Sequence, residues 1–363
     1  MKTAKTALII ISGLFFSLSA SVTFAEQSDW QKAAAAARVA RQNGNSLEAA
    51  TLYKQALEIE ERKFGPNSAE VAATLNNLAV VYQDESRDAE ADPLYRRSLQ
   101  IWEKLRGTNK QVAAGLSNLA ALYHDEGKDA DAVSLYNRAL AMFEKTGQME
   151  SPKAVAALSG LADIFHSQGN FSDAEPLYER TLAIWKKTGQ PDNSDAAVTL
   201  IHLADIYRLQ SEYDQAAPLY NRALAIWQKT GHAEDAELAV TLNNLGDIYR
   251  SEGKYAEAEP LILRVLAIRE KTLGSDNLDV AASANELALL YNCQEKYADA
   301  EIFYKKAIQI REANLGPQHP DVIRTREIYA AMLRQEGRKT EAHAIEASPV
   351  RVQLNSFQKA TPN

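Results

Sequence analysis

The side chains of this 363-residue chain best suited to meet a ligand fall in three rows, each recurring about every 42 residues. The first row is Asn77, Asn118, Gly160, His202, Asn244 and Glu286. The second is Val80, Ala121, Asp163, Asp205, Asp247 and Leu289, and the third is Gln83, His124, His166, Arg208, Arg250, Asn292 and Arg334. A carboxamide donates and accepts at once, so a ladder of asparagines suits an extended peptide backbone without reading its side chains. Asp163, Asp205 and Asp247 favour a positively charged ligand, although Arg208 and Arg250, three residues further on, are placed to pair with two of them. His124 and His166 hold one position in consecutive repeats. No carboxylate or thiol stands beside them at ligand spacing, so no metal is expected. The candidate binding residues are therefore Asn77, Asn118, Asn244, His202, Asp163, Asp205, Asp247, Arg208, Arg250, His124 and His166. No phosphate-cradling loop, zinc-protease helix motif or serine elbow occurs. Neither an enzyme nor a cofactor is expected, and Cys293, the single cysteine, reads as an inert helix residue.

The elements that must position these rows follow from the same period. A small residue recurs at Ala49, Ala91, Ala132, Ala174, Ala216, Ala258, Ala300 and Ala342. Four residues later stands Tyr53, Tyr95, Tyr136, Tyr178, Tyr220 or Tyr304, with Ile262 in one repeat. Leu203, Ala204 and Tyr207 share one face of a helix, and Ala216, Tyr220, Ala223 and Leu224 share one face of a second. Val198, His202, Asp205 and Leu209 point away from the first of these faces. Each repeat is thus a pair of antiparallel helices. Its turn often holds glycine, as at Gly44, Gly127, Gly169, Gly253 and Gly337. A single pair buries too little surface to stand alone, so neighbours must stack. The units are expected near 30–62, 68–105, 111–146, 152–188, 195–230, 237–272, 279–314 and 321–347.

Glycine closes the second helix at Gly65, Gly107, Gly147, Gly189, Gly231, Gly274 and Gly316, where a left-handed residue is expected. Ser68, Ser151, Ser194 and Asp235 are the expected N-caps, and Pro320 fits a first helical turn. Pro93, Pro176, Pro218 and Pro260 recur near the start of second helices, at the edge of the region where a missing N–H is harmless. The series Trp102, Phe143, Trp185 and Trp227, continued by Arg269 and Arg311, lies on the stripe that packs between units.

The order Leu203, Ala204, Tyr207, Ala216, Tyr220, Ala223 resembles the tetratricopeptide repeat, with a period longer than that family's usual one. Thr74 to Ala79, Ala258 to Leu261 and Leu315 to Val322 are similar to the kinesin-light-chain subtype. The resemblance covers roughly residues 30 to 347. It implies an all-α fold, a right-handed superhelical solenoid of about eight helix-turn-helix units whose concave face holds peptides. It also implies the backbone-pairing role for Asn77, Asn118 and Asn244.

Ahead of the array, Lys2 and Lys5 precede an apolar run from Ala7 to Leu18, and in Thr23-Phe24-Ala25 the residues Thr23 and Ala25 are small at the positions needed before a cleavage point. Residues 1–25 are read as a signal peptide, the alternative being an uncleaved anchor. The chain is expected in a bacterial periplasm or secreted, with no stable membrane insertion after cleavage. Cleavage would remove two lysines and no acids, taking the net charge from −8 to −10. Such a balance argues against nucleic acid as a partner. Residues 348–363 read as a disordered tail. The expected function is a non-catalytic scaffold that binds extended protein segments in the groove. The alternative is an assembly spacer in a cell-envelope complex, for example one for polymer export, working through its convex face or ends.

Overall fold

The recurring alanine is fully buried in every hairpin. Ala49, Ala91, Ala132, Ala174, Ala216, Ala258, Ala300 and Ala342 are each 0% exposed, so any larger side chain would push the helices of a hairpin apart. One turn further along, Tyr53, Tyr95, Tyr178, Tyr220 and Tyr304 are among the largest fully buried side chains and fill the space beside it. These pairings recur through the computed structural model of the chain, which describes residues 28–105, 109–231 and 236–347.

The described residues form sixteen helices and no strand. They make eight hairpins: α1 (Asp29–Gln42) with α2 (Ser46–Phe64), α3 (Ala69–Asp84) with α4 (Asp88–Lys104), α5 (Asn109–Asp125) with α6 (Asp129–Lys145), and α7 (Pro152–Ser167) with α8 (Phe171–Lys187). There follow α9 (Ser194–Leu209) with α10 (Tyr213–Thr230), α11 (Ala236–Ser251) with α12 (Tyr255–Leu273), α13 (Leu278–Cys293) with α14 (Tyr297–Leu315), and α15 (Pro320–Gln335) with α16 (Lys339–Ala347). They fall into two compact units, one ending at Ile184 and the other beginning at Trp185, within α8. No helix among the described residues is long and apolar enough to cross a membrane. The expected signal segment, the tail, Gly107, His232 and Asp235 lie outside the described residues.

One turn joins the helices of each hairpin. Its last N–H reaches back five residues, as in Lys128 to the Tyr123 carbonyl at 2.7 Å and Glu212 to the Tyr207 carbonyl at 2.8 Å. This is the Schellman arrangement, and it requires a positive φ at the residue before. Glycine meets that need in five turns. Ser86, Ser211 and Glu295 meet it in the other three, at φ 56°, 62° and 60°.

Several helix ends differ from the sequence expectation. Ser68 and Ser151 do cap α3 and α7, accepting from Val71 and Ala154. Ser194, however, is the first residue of α9, and Asn193 is its cap, accepting from the Ala196 N–H at 2.6 Å. Gly231 is left-handed, but Gly65, Gly274 and Gly316 combine positive φ with ψ of 159°, 153° and 156°, outside the left-handed helical region. Pro93, Pro176, Pro218 and Pro260 stand one full turn inside their helices, so each removes one intrahelical bond. All four are exposed, which leaves the freed carbonyl to water.

Ion pairs tie successive second helices together. Arg97 meets Glu61 at 2.6 Å, Arg138 meets Glu103 at 3.7 Å and Arg180 meets Glu144 at 2.7 Å in the first unit. Lys306 meets Glu270 in the second. Partly solvated pairs add little stability each, but their regular spacing fixes the register of stacking.

Candidate functional site

All eleven candidate residues lie on first helices of hairpins: α3, α5, α7, α9 and α11. Many of their polar atoms are already engaged within the chain.

In the unit ending at Ile184, Asn118 is only 8% exposed. Its Nδ2 donates to Asn76 Oδ1 at 2.7 Å, and its Oδ1 accepts from Lys153 Nζ at 2.8 Å. This carboxamide therefore joins α3, α5 and α7, and its neighbour in the preceding repeat is Asn76, not Asn77. Asn77 itself is half-buried. Gly160 interrupts the first row for a steric reason. A Cβ there would lie 2.7 Å from Tyr136 Cζ and closer still to its hydroxyl. Asp163 accepts from the Tyr178 hydroxyl at 2.6 Å. His124 Nδ1 lies 2.8 Å from Asp129 Oδ1 at the start of α6. His166 instead packs its ring against Phe171 and Tyr178, with centroids 5.7 and 6.3 Å apart. Two histidines that are equivalent in sequence thus serve different local ends. Among the described residues no three His, Cys, Asp or Glu side chains gather as a metal site.

In the unit beginning at Trp185, Asp205 is the centre of a polar cluster. Its Oδ1 accepts from Tyr220 at 2.5 Å, from Asn244 Nδ2 at 3.0 Å and from Arg208 Nη2 at 3.2 Å. Burial, then the Asp205 charge, raises the pKa of the Tyr220 hydroxyl, so it stays protonated and donates. Asp247 accepts from Arg250 Nη2 at 3.1 Å. Among the described residues no tyrosine bonds to it, and Ile262 occupies that place in its hairpin. The converse holds one repeat on, where Leu289 replaces the aspartate and the buried Tyr304 hydroxyl has no hydrogen-bond partner among the described residues. The aspartate row is therefore largely an anchor for core tyrosines. The expected pairing of Arg208 with Asp205, and of Arg250 with Asp247, is present.

Glu286 ends the first row. It accepts from Asn243 Nδ2 at 3.5 Å, and burial, followed by the nearby Asp247 charge, pushes its pKa up to about 7.

The stripe that contains the tryptophans decides how neighbouring hairpins meet. Where a charged residue stands, it bonds the hydroxyl of the next first helix. Thr74 donates to Glu60 at 3.0 Å, Arg269 donates to Ser283 at 2.7 Å, and Arg311 donates to Thr325. Trp227 offers no such partner. Thr241 donates to the Glu237 carbonyl at 2.9 Å, as Ser283 and Thr325 also donate to the carbonyls four residues back, and a cleft of about 320 Å³ lies over the indole. Val198, Ile201, His202 and Asp205 of α9 form one wall, and Glu237, Val240 and Thr241 of α11 form the other. Trp227 is 2% exposed at its floor, while Val198 and Val240 are 37% and 49% exposed at its rim.

Of the cleft's lining, the sequence reading named only His202 and Asp205 as binding residues. Val198 shares their outward face in the sequence, and it belongs to a further row one turn earlier on the first helices: Ala73, Ala114, Ala156, Val198, Val240, Ala282 and Arg324. Two adjacent valines on a row otherwise made of alanines and one arginine are the signal that would have found it.

Residues 31–92, 70–145, 153–229, 237–313 and 279–347 match one family profile described as Tetratricopeptide repeat, and residues 118–187 match a second of the same description. No curated protein matches the chain. Among solved structures, BtubC (BKLC) from P. vanneervenii is 26% identical, with a TM-score of 0.53, over 68% of this chain and 94% of that one. A putative kinesin light chain from Podosopora anserina with nearly identical TPR-like repeats is 27% identical, with a TM-score of 0.46, over 55% of this chain and 95% of that one. The apo form of the quorum sensor NprR from B. thuringiensis shares the fold at 13% identity, with a TM-score of 0.52, over 93% of this chain and 91% of that one.

Proposed function

Because the chain belongs to the tetratricopeptide repeat family, we propose that it is a non-catalytic scaffold holding an extended segment of another protein against its first helices. The observation that carries this reading is the cleft between α9 and α11. It is an apolar-rimmed recess, and Asp205 in its wall is held in place by bonds from Tyr220 and Asn244. Preorganised polar groups around an apolar recess suit recognition, because little order is lost when a ligand arrives.

The test is affinity capture from a bacterial extract. Wild type is compared with Val198→Asp, Val240→Asp on the first helices and with Leu263→Lys, Ile302→Lys on the second. Both pairs are exposed apolar positions. A client lost only with the valine changes supports the scaffold. A client lost only with the second-helix changes supports the spacer instead, an assembly component of a cell-envelope complex.

We further propose that the chain is exported and cleaved after Ala25, a reading supported by Lys2, Lys5 and the apolar run that follows. Mass spectrometry of the protein from a periplasmic fraction tests this. A mature N-terminus at Glu26 is expected, and an intact Met1 in the membrane fraction would contradict it.

A further inference from the structure

The cleft over Trp227 has chemistry more specific than a general peptide groove. We infer that it takes the side chain of a lysine from the bound segment. The inference rests on the scaffold reading and adds the identity of the residue that is read.

Three observations carry it. The rim and floor are apolar, with Val198, Ile201, Val240 and Trp227 lining a space of about 320 Å³. That volume is at the small end of ligand pockets and matches one side chain better than a whole ligand. A methylene stem lies favourably along such a surface while its charged end reaches a polar edge. Glu237 supplies an exposed carboxylate that makes no hydrogen bond or ion pair among the described residues. Asp205 supplies a second carboxylate whose bonds from Tyr220, Asn244 and Arg208 all fall on Oδ1, leaving Oδ2 without one among the described residues.

The arrangement of these oxygens selects ammonium over guanidinium. With Oδ1 filled, Asp205 offers a single oxygen, so an arginine finds its two-oxygen fork on Glu237 alone and cannot fork onto both carboxylates. An ammonium is a compact charge with three donors and can divide them between two separate carboxylates. The Arg208 guanidinium on Oδ1 holds the carboxylate in orientation and offsets part of its charge. Glu237 carries the uncompensated negative charge that draws the lysine in.

Fluorescence anisotropy tests this with a labelled heptapeptide carrying one central lysine, its norleucine counterpart and its arginine counterpart. The lysine peptide should bind wild type about tenfold tighter than the norleucine peptide, and tighter than the arginine peptide. Glu237→Gln should abolish that preference. Val240→Lys, which sets an ammonium of the protein's own at the rim, should abolish it as well. Neither change touches the bonds of Asp205, so both variants should fold. Asp214→Asn removes an exposed carboxylate outside the cleft and should leave the preference intact. Equal binding of the lysine and norleucine peptides, or a preference that survives both cleft variants, would overturn the inference. If the lysine preference is absent while a captured client still depends on Val198 and Val240, the lysine reading alone fails and the scaffold stands. If that client dependence is absent too, both fail.

Discussion

Asn118 Nδ2 donates to Asn76 Oδ1 at 2.7 Å across 42 residues of sequence, coupling the first helices of two neighbouring hairpins. The other end of the same carboxamide accepts from Lys153 in a third hairpin. A side chain that is 8% exposed and bonded at both ends acts as a joint between repeats.

Asn118→Ala should therefore destabilise the chain by about 1–3 kcal/mol, because Asn76 Oδ1 loses its donor and Lys153 its acceptor. Asn77→Ala, one hairpin earlier, should change stability by less than about 0.5 kcal/mol. Denaturant titration of the two variants, followed by circular dichroism, reads the difference. Equal midpoints would show that the joint adds nothing.

Two tyrosines at the same place in their hairpins should respond oppositely to loss of the hydroxyl. Tyr220 donates to Asp205, so Tyr220→Phe should cost about 1–3 kcal/mol. The Tyr304 hydroxyl is buried without a hydrogen-bond partner among the described residues, so Tyr304→Phe should be neutral or stabilise by up to about 1 kcal/mol. Thermal melts of both variants at neutral pH would show it.

Glu286 should make stability fall as pH rises. Its carboxyl has a folded pKa of about 7, above the ordinary value of 4.5, with burial as the leading cause. Between those values the folded chain holds a proton that the unfolded chain has released. The contribution is thus fully present below about pH 4.5 and is lost as pH rises through about 7. Glu286→Gln should remove this slope and raise the melting temperature at pH 8 more than at pH 5. An identical pH dependence in wild type and variant would contradict it.

Ser86, Ser211 and Glu295 occupy turn positions with positive φ that five other hairpins give to glycine. A left-handed conformation costs an ordinary residue about 1–2 kcal/mol, partly offset by the greater freedom glycine loses on folding. Ser211→Gly should therefore stabilise by about 0.5–1 kcal/mol, and Glu295→Gly likewise. Their melting temperatures are the readout, and a decrease would mean that these side chains contribute something glycine cannot.

The hairpin array was legible in the sequence because its determinants are local and repeated. An alanine that is fully buried in every hairpin and a tyrosine one turn later leave a period that survives every other change. The candidate rows were legible as faces. What period cannot reveal is which atoms on a face are already bonded. Asn118 reaches Asn76 and not Asn77, and Asp205 is met by a tyrosine fifteen residues away on the next helix. Such bonds depend on the offset between packed helices. The cleft depends on it too, since its walls come from two first helices, α9 and α11, that meet around Trp227 of α10.

The most direct test of the central claim is site-specific photocrosslinking in living cells. A crosslinking amino acid is placed at Val240 on a first helix, or at Leu263 on a second, both of them exposed. The account predicts a discrete protein adduct from position 240 and none from position 263. An adduct from 263 alone would contradict it and place the working surface on the second helices.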